Sequence, residues 1–309
     1  MNGTEMVKTQ TKTAIHPATQ IRGVHYTVSD LNRQVAFYQD ILGFRLLWRS
    51  GDTGALGTSK HELLRLTEIQ GARRARRTTG LYHTAFLVPT RWDLAHLVRQ
   101  IAETKTPIQG TSNHKTHLAI YLPDAEGNGI ELAWDFPKEA WPMKDGKWIM
   151  EAMVPSPVDI QGLMTELDRN PSPWTGLDSN TQIGHIHLHV SDLKTSHDFY
   201  HNLLGFDVTA YSENFGALFV SAGGYHHHIG LNIWNGVGAP PPPPDAQGLR
   251  YFTVGLPSNE ALGELRQRLA AKSTPIEEQE DGLFVRDPAQ NGILFAVEAL
   301  IAPGKEPQQ

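Results

Sequence analysis

Residues 225–232 read YHHHIGLN, three consecutive histidines at the head of an apolar run. A second trio alternates in GHIHLHV (184–190), and single histidines stand at 83, 114 and 117. Imidazole binds transition metals and titrates near neutrality, so gathered histidines imply either a metal centre or proton transfer. The chain has no cysteine, which excludes disulfides, zinc ribbons and iron–sulfur clusters. Any ion must be held by nitrogen and oxygen, which favours iron, manganese, nickel or zinc. His185, His187 and His189 cannot form a site alone. They share a strand face, but successive same-face residues lie about 7 Å apart, and three collinear ligands do not surround one ion.

The elements that position these residues follow from a repeat. IRGVHYTVSDLNRQVAFYQDILGFRLL (21–47) matches IGHIHLHVSDLKTSHDFYHNLLGFDVT (183–209). In both, period-two alternation changes to helical spacing at an Asp suited to capping a helix, and a Gly (43, 205) suits its end. GLYHTAFLVPT (80–90) matches GLRYFTVGLPS (248–258), and YLPDAEGNGIEL (121–132) matches FVRDPAQNGILF (284–295). The Asn-Gly turns read as connections between the last two strands of each unit. Four strand–helix–strand–strand–strand units result, at 21–70, 80–135, 183–235 and 248–299.

Residues 1–20 read as a flexible polar arm and 301–309 as a tail. The halves 21–135 and 181–300 form two domains, joined by a segment (136–180) whose Trp141, Trp148 and Trp174 pin it to the protein. APPPPPD (239–245) is a stiff spacer. The 309 residues are 39% hydrophobic and 19% charged, with net charge −6, so no basic field serves nucleic acid or an acidic membrane. No apolar run spans a bilayer. The expectation is a cytoplasmic protein, with a homo-oligomer as the common assembly for such chains.

HxHLHVSDL…FY…LGF and the GNGIEL ending resemble the vicinal oxygen chelate (glyoxalase/extradiol dioxygenase) superfamily, in particular its two-domain bacterial catechol-2,3-dioxygenases. The likeness covers most of the chain. It implies an α+β fold of four βαβββ modules paired into two open barrels. It also implies metal ligands at fixed places on the first and fourth strands of a module. Those places hold His83 and Glu131 in module two, His185 in module three, Gly23 in module one, and Tyr251 and Leu294 in module four. Arg65 and Asn232 are the corresponding fourth-strand positions of modules one and three. Two imidazoles and a carboxylate form the triad that binds iron(II), or alternatively manganese(II), with open positions. The census therefore sets the ion between modules two and three and leaves modules one and four as a metal-free pair.

In the extradiol enzymes an acid/base histidine stands in a run like HHHIGLN. His228 aligns best, with His227 as its neighbour; alternation points His227 outward and puts His226 and His228 on the other face. The family's tyrosine ten residues before the glutamate falls on Tyr121, where module four has Phe284. His187, His226, His114 and Asn232 are expected to contact substrate, with His117 as a further pocket candidate and His25 structural. The activity implied is extradiol ring opening of a catechol-type diol by O2. A glyoxalase- or isomerase-like lyase would need a fourth ligand where Asn232 is expected. A metal-free binder of aromatic compounds would leave the triad without a purpose.

Overall fold

The computed structural model describes residues 14–144, 147–149 and 154–297. Most of the arm and all of the tail expected at the termini lie outside the described residues, as does the side chain of Trp148. The strands are β1 (Gln20–Val28), β2 (Arg45–Ser50), β3 (Thr53–Gly57), β4 (Glu62–Glu68), β5 (Gly80–Leu87), β6 (Gly110–Asn113), β7 (His117–Pro123) and β8 (Gly129–Asp135). A short pair, β9 (Met143–Lys144) and β10 (Lys147–Trp148), interrupts the connecting segment. Then follow β11 (Gln182–His189), β12 (Asp207–Ser212), β13 (Ala217–Ser221), β14 (Ile229–Asn232), β15 (Gly248–Leu256), β16 (Glu277–Gln279), β17 (Gly282–Arg286) and β18 (Gly292–Val297). The α-helices are α1 (Leu31–Asp40), α2 (Arg91–Glu103), α3 (Ile160–Arg169), α4 (Leu193–His197), which runs on into a π-helical segment (Asp198–Leu203), and α5 (Asn259–Ala271). None of the described helices is long and apolar enough to cross a bilayer.

Local chemistry starts and stops these elements as the sequence suggests. Asp30 and Asp192 accept the N–H of Arg33 and Thr195, capping α1 and α4. Gly43 after α1, and Gly205 after the π-helical segment Asp198–Leu203 that continues α4, have φ of +72° and +90°, the left-handed conformation that ends a helix. A Cβ on Gly43 would also lie 2.7 Å from the Trp174 ring, so this tryptophan pins the connecting segment where no side chain intervenes.

The strands form an α+β fold of two eight-stranded sheets. One has the order β16-β17-β18-β15-β1-β4-β3-β2, the other β12-β13-β14-β11-β5-β8-β7-β6. The sheets do not follow the two halves of the chain. Each takes one module from each half, pairing module one with four and two with three. The division into 21–135 and 181–300 is thus not the division of the sheets, and the ligand census is the better guide to pairing. The reason is in the ladders: first strands pair antiparallel with each other, β1 with β15 and β11 with β5.

Consecutive modules meet instead through buried side chains. Tyr38 donates to Asp124 Oδ2 (3.2 Å) and Tyr200 to Asp287 Oδ2 (3.0 Å). These are the repeated tyrosines of FY and the aspartates of the two Asn-Gly turns. Each aspartate also accepts from the backbone N–H and side-chain amide of its turn's asparagine, Asn128 or Asn291. One lock per half ties the sheets together.

Candidate metal centre

The central ladder of the second sheet sets the site. His187 stands opposite His83, and His185 opposite Ala85. Ala85 in turn is level with Glu131 on parallel β8. The three expected ligands therefore lie on adjacent strands with like-facing side chains, all buried. His83 Nε2 and His185 Nε2 are 3.2 Å apart, and Glu131 Oε2 is 3.1 and 3.2 Å from them. An ion ~2.1 Å from three ligands at right angles would hold them ~3.0 Å apart, so the spacing fits one divalent cation with open positions.

Charge supports the same reading. Burial alone would raise the Glu131 carboxyl. The charge of His185 and contacts with His117, His185 and His83 overcome it and hold the group well below its usual range, hence ionised. Its second oxygen, Oε1, lies 3.0 Å from His117 Nε2, and His117 Nδ1 lies 2.8 Å from Thr116 Oγ1. Such support fixes the orientation of a ligating carboxylate.

Tyr121 is directly opposite Glu131 in the β7–β8 ladder. Its hydroxyl is 2.8 Å from His114 Nε2, and its ring is 5.5 Å from that of His83. Burial, then the Glu131 charge, pushes the phenol well above its usual value, so it is a protonated donor. Burial lowers the His114 pKa to about 4, which leaves that imidazole neutral. His187 packs on His83 (5.1 Å) and Phe219 (5.5 Å), and its buried Nε2 has no hydrogen-bond partner among the described residues.

The triple histidine differs from the expectation. β14 begins only at Ile229, so residues 225–228 form a bend and strand alternation does not govern them. His227 is not turned outward: its ring lies 4.2 Å from that of His185. His228 instead turns back to the β13–β14 connection, where its Nδ1 accepts the Ala222 N–H (3.2 Å) and lies 3.0 Å from Ser221 Oγ. His226 stacks on His117 (4.7 Å) and reaches Asp135.

Asn232 is a second correction. It is fully buried, and its Oδ1 is 2.7 Å from His189 Nδ1 while accepting the N–H of Trp234. Its position is not that of Arg65. Arg65 is level with His25, and the residue level with the matching His187 is Gly230. The place of Glu131 in module three is therefore a glycine, and a Cβ there would lie 2.8 Å from the His187 ring. No fourth side-chain ligand can come from it.

Sequence reasoning also missed Tyr82, Trp234 and Asp135. The ladder skips Tyr82, since His187 faces His83 and Leu188 faces Leu81. That bulge brings Tyr82 within 5.0 Å of His83 and His187 and 5.1 Å of Trp234. Only the register reveals it. Asp135 had a signal, being four residues after Glu131 and so on the same strand face.

In the first sheet the matching places hold no triad. Gly23 faces Thr253, which is level with Leu294, and Phe284 faces Leu294 as Tyr121 faces Glu131. Arg65 pairs with Glu62 at 2.8 Å and lies over Trp48. His25 is held by Thr67 (2.8 Å).

The family model of the Glyoxalase/Bleomycin resistance protein/Dioxygenase superfamily matches residues 18–132 and 182–295. The chain belongs to this superfamily. It is 41% identical over 289 residues to a catechol-2,3-dioxygenase of Bacillus subtilis (strain 168), covering 92% of this chain and 99% of that one. A shorter match, 31% over 116 residues, is to the metallothiol transferase FosB of Staphylococcus epidermidis, covering 37% of this chain and 80% of that protein. Among solved structures, one from Bacillus subtilis has a TM-score of 0.62 at 13% identity, covering 92% of this chain and 86% of that one. Glyoxalase I from Zea mays has a TM-score of 0.56 at 13% identity, covering 92% and 94%. These two likenesses concern the fold. The superfamily membership read from the repeated motifs is thus borne out.

Proposed function

We propose that this superfamily member is an extradiol dioxygenase that opens a catechol-type ring with O2 at one iron(II), held by His83, His185 and Glu131. The observation that carries the reading is the convergence of two imidazoles and one ionised carboxylate at 3.1–3.2 Å, with Gly230 where a fourth ligand would stand. A three-ligand site leaves positions for a diol and O2, whereas a lyase arrangement with a second carboxylate has no residue to supply it. The similarity to a catechol-2,3-dioxygenase over nearly the whole chain points the same way. Manganese(II) accepts similar ligands and is the alternative ion.

The bound ion would supply electron transfer between diol and O2 and make a coordinated hydroxyl more acidic. The remaining work falls to the chain's own groups. His227, beside ligand His185, takes a proton from the diol and later returns one to the departing oxygen. Burial keeps its imidazole neutral in the resting protein, so it starts as a base. Tyr121, whose hydroxyl is close to His114, donates to a substrate oxygen in a pocket where burial strengthens the interaction. Tyr82, Trp234, Phe219 and His187 form an aromatic wall suited to a flat ring.

The test is direct. Protein loaded anaerobically with ferrous iron is mixed with catechol in air, and the yellow ring-opened product is followed by absorbance. Product is expected from the wild type and not from Glu131→Gln. Iron-loaded protein that gives no product with a panel of catechols contradicts the proposal.

A further inference from the structure

Asp135 ends β8 on the same face as Glu131 and opposite His117. Both of its oxygens are engaged. Tyr225 donates its hydroxyl to Oδ2 at 2.8 Å, and Oδ1 lies 3.3 Å from His226 Nε2. The other nitrogen of His226, Nδ1, is 2.8 Å from His227 Nδ1. His227 then rests on ligand His185. The order is carboxylate, imidazole, imidazole, metal centre.

The protons in this chain follow from donor counting. Burial would raise the Asp135 carboxyl, but hydrogen bonds from its partners, His226 first, hold it below its usual value, so it is ionised and only accepts. Burial drives the His226 pKa to about 3, so this ring carries a single N–H, which must sit on Nε2 to meet the carboxylate. His226 Nδ1 is then bare and can only accept. His227 must donate from its own Nδ1, which leaves its Nε2 with a free lone pair and no partner among the described residues.

We propose that Asp135 and His226 are positioning residues that lock His227 in the Nδ1–H tautomer, so that its bare Nε2 takes the proton from the diol. The inference rests on the reading of His227 as the acid/base group. In the step, the diol O–H bond breaks, an N–H bond forms at Nε2, and the electron pair stays on the diol oxygen. The imidazolium so formed is stabilised by the Asp135 charge acting through His226. In the opposite tautomer Nε2 would already hold a proton and could not accept one.

His117, Asp135 and His226 also lie close enough to share a cation. Their donor atoms already face other partners, however. One His117 nitrogen lies 3.0 Å from Glu131 and the other 2.8 Å from Thr116, while Asp135 is divided between Tyr225 and His226. A second ion would have to displace these contacts, so the relay is the better use of the cluster.

The test is long-range proton–nitrogen correlation on 15N-histidine-labelled, zinc-substituted full-length protein, with His227 assigned from His227→Gln. A protonated Nδ1 and bare Nε2 on His227 are expected. In Asp135→Asn, whose amide can donate to His226 Nε2 and reverse the chain, the His227 proton should move to Nε2. The iron-loaded variant should then lose at least tenfold in kcat with KM and iron content unchanged. A His227 Nε2–H in the wild type, or a tautomer indifferent to Asp135→Asn, overturns the relay. So does a second zinc equivalent that Asp135→Asn abolishes. If the tautomer is as expected but His227→Gln keeps wild-type kcat, the acid/base reading fails and takes the catalytic role of the relay with it. A wrong tautomer together with an inactive His227→Gln overturns the relay alone.

Discussion

Glu131 is the most constrained residue of the site: one oxygen faces two imidazoles, the other a third. Glu131→Gln removes the charge but keeps the shape, so metal content after dialysis is expected to fall at least tenfold, as metal analysis would read. His117→Phe touches no ligand atom of the ion but frees Oε1, and metal affinity should drop by about 10–100-fold in a competition titration. His227→Gln should keep iron and lower kcat by about 10²–10⁴-fold. His228→Gln should cost far less, because His228 is tied to Ser221 and Ala222. Equal losses at 227 and 228 would count against the assignment. His83, Glu131, His185 and Tyr121 were legible in the sequence because each sits inside a strand whose repeat partner reveals its register. That His227 rather than His228 lies beside His185 was not, because alternation fails in a bend.

At the scale of elements, the β11–β14 contact depends on a missing side chain. Gly230→Ala would place a Cβ 2.8–3.0 Å from ring atoms of His187. The ring must shift, and chemical denaturation should show a loss of about 1–3 kcal/mol, typical of overpacking. A neutral Gly230→Ala would mean that the His187 ring is free to move. Asn232 was misplaced for a related reason. β14 has four residues, too few for alternation to fix the register against β4 without the ladders. The N-caps of α1 and α4 and the glycines 43 and 205 were readable because they depend on one or two residues of local chemistry. The bulge that exposes Tyr82 beside His83 arises from the pairing of two strands far apart in sequence, which no single strand encodes.

Across the whole molecule, duplication produced four modules but, among the described residues, one cluster of the expected ligands, and the sheet pairing follows that cluster rather than chain order. The number and type of modules were legible from repeated motifs. The Tyr38–Asp124 and Tyr200–Asp287 locks were not, because both partners repeat without a pattern that names their contact. The second lock has a measurable consequence. Burial pushes the Asp287 carboxyl up to about 6. The folded chain therefore holds this proton more tightly than the unfolded one. The resulting stability is fully present below about pH 4 and is lost as pH rises through about 6, of order 3 kcal/mol for about two units. Between pH 4 and 7 the stability of metal-free Asp287→Asn should rise relative to wild type by an amount of that order. Urea unfolding across this range would show it, and parallel pH profiles would contradict it.

The location of the ion tests the account most directly. Anomalous scattering at the iron edge from crystals of the anaerobically iron-loaded protein is expected to give one strong peak per chain, within bonding distance of His83, His185 and Glu131. A peak at Asp135 and His226, one in the sheet that carries Arg65 and Tyr251, or none at the triad would contradict it.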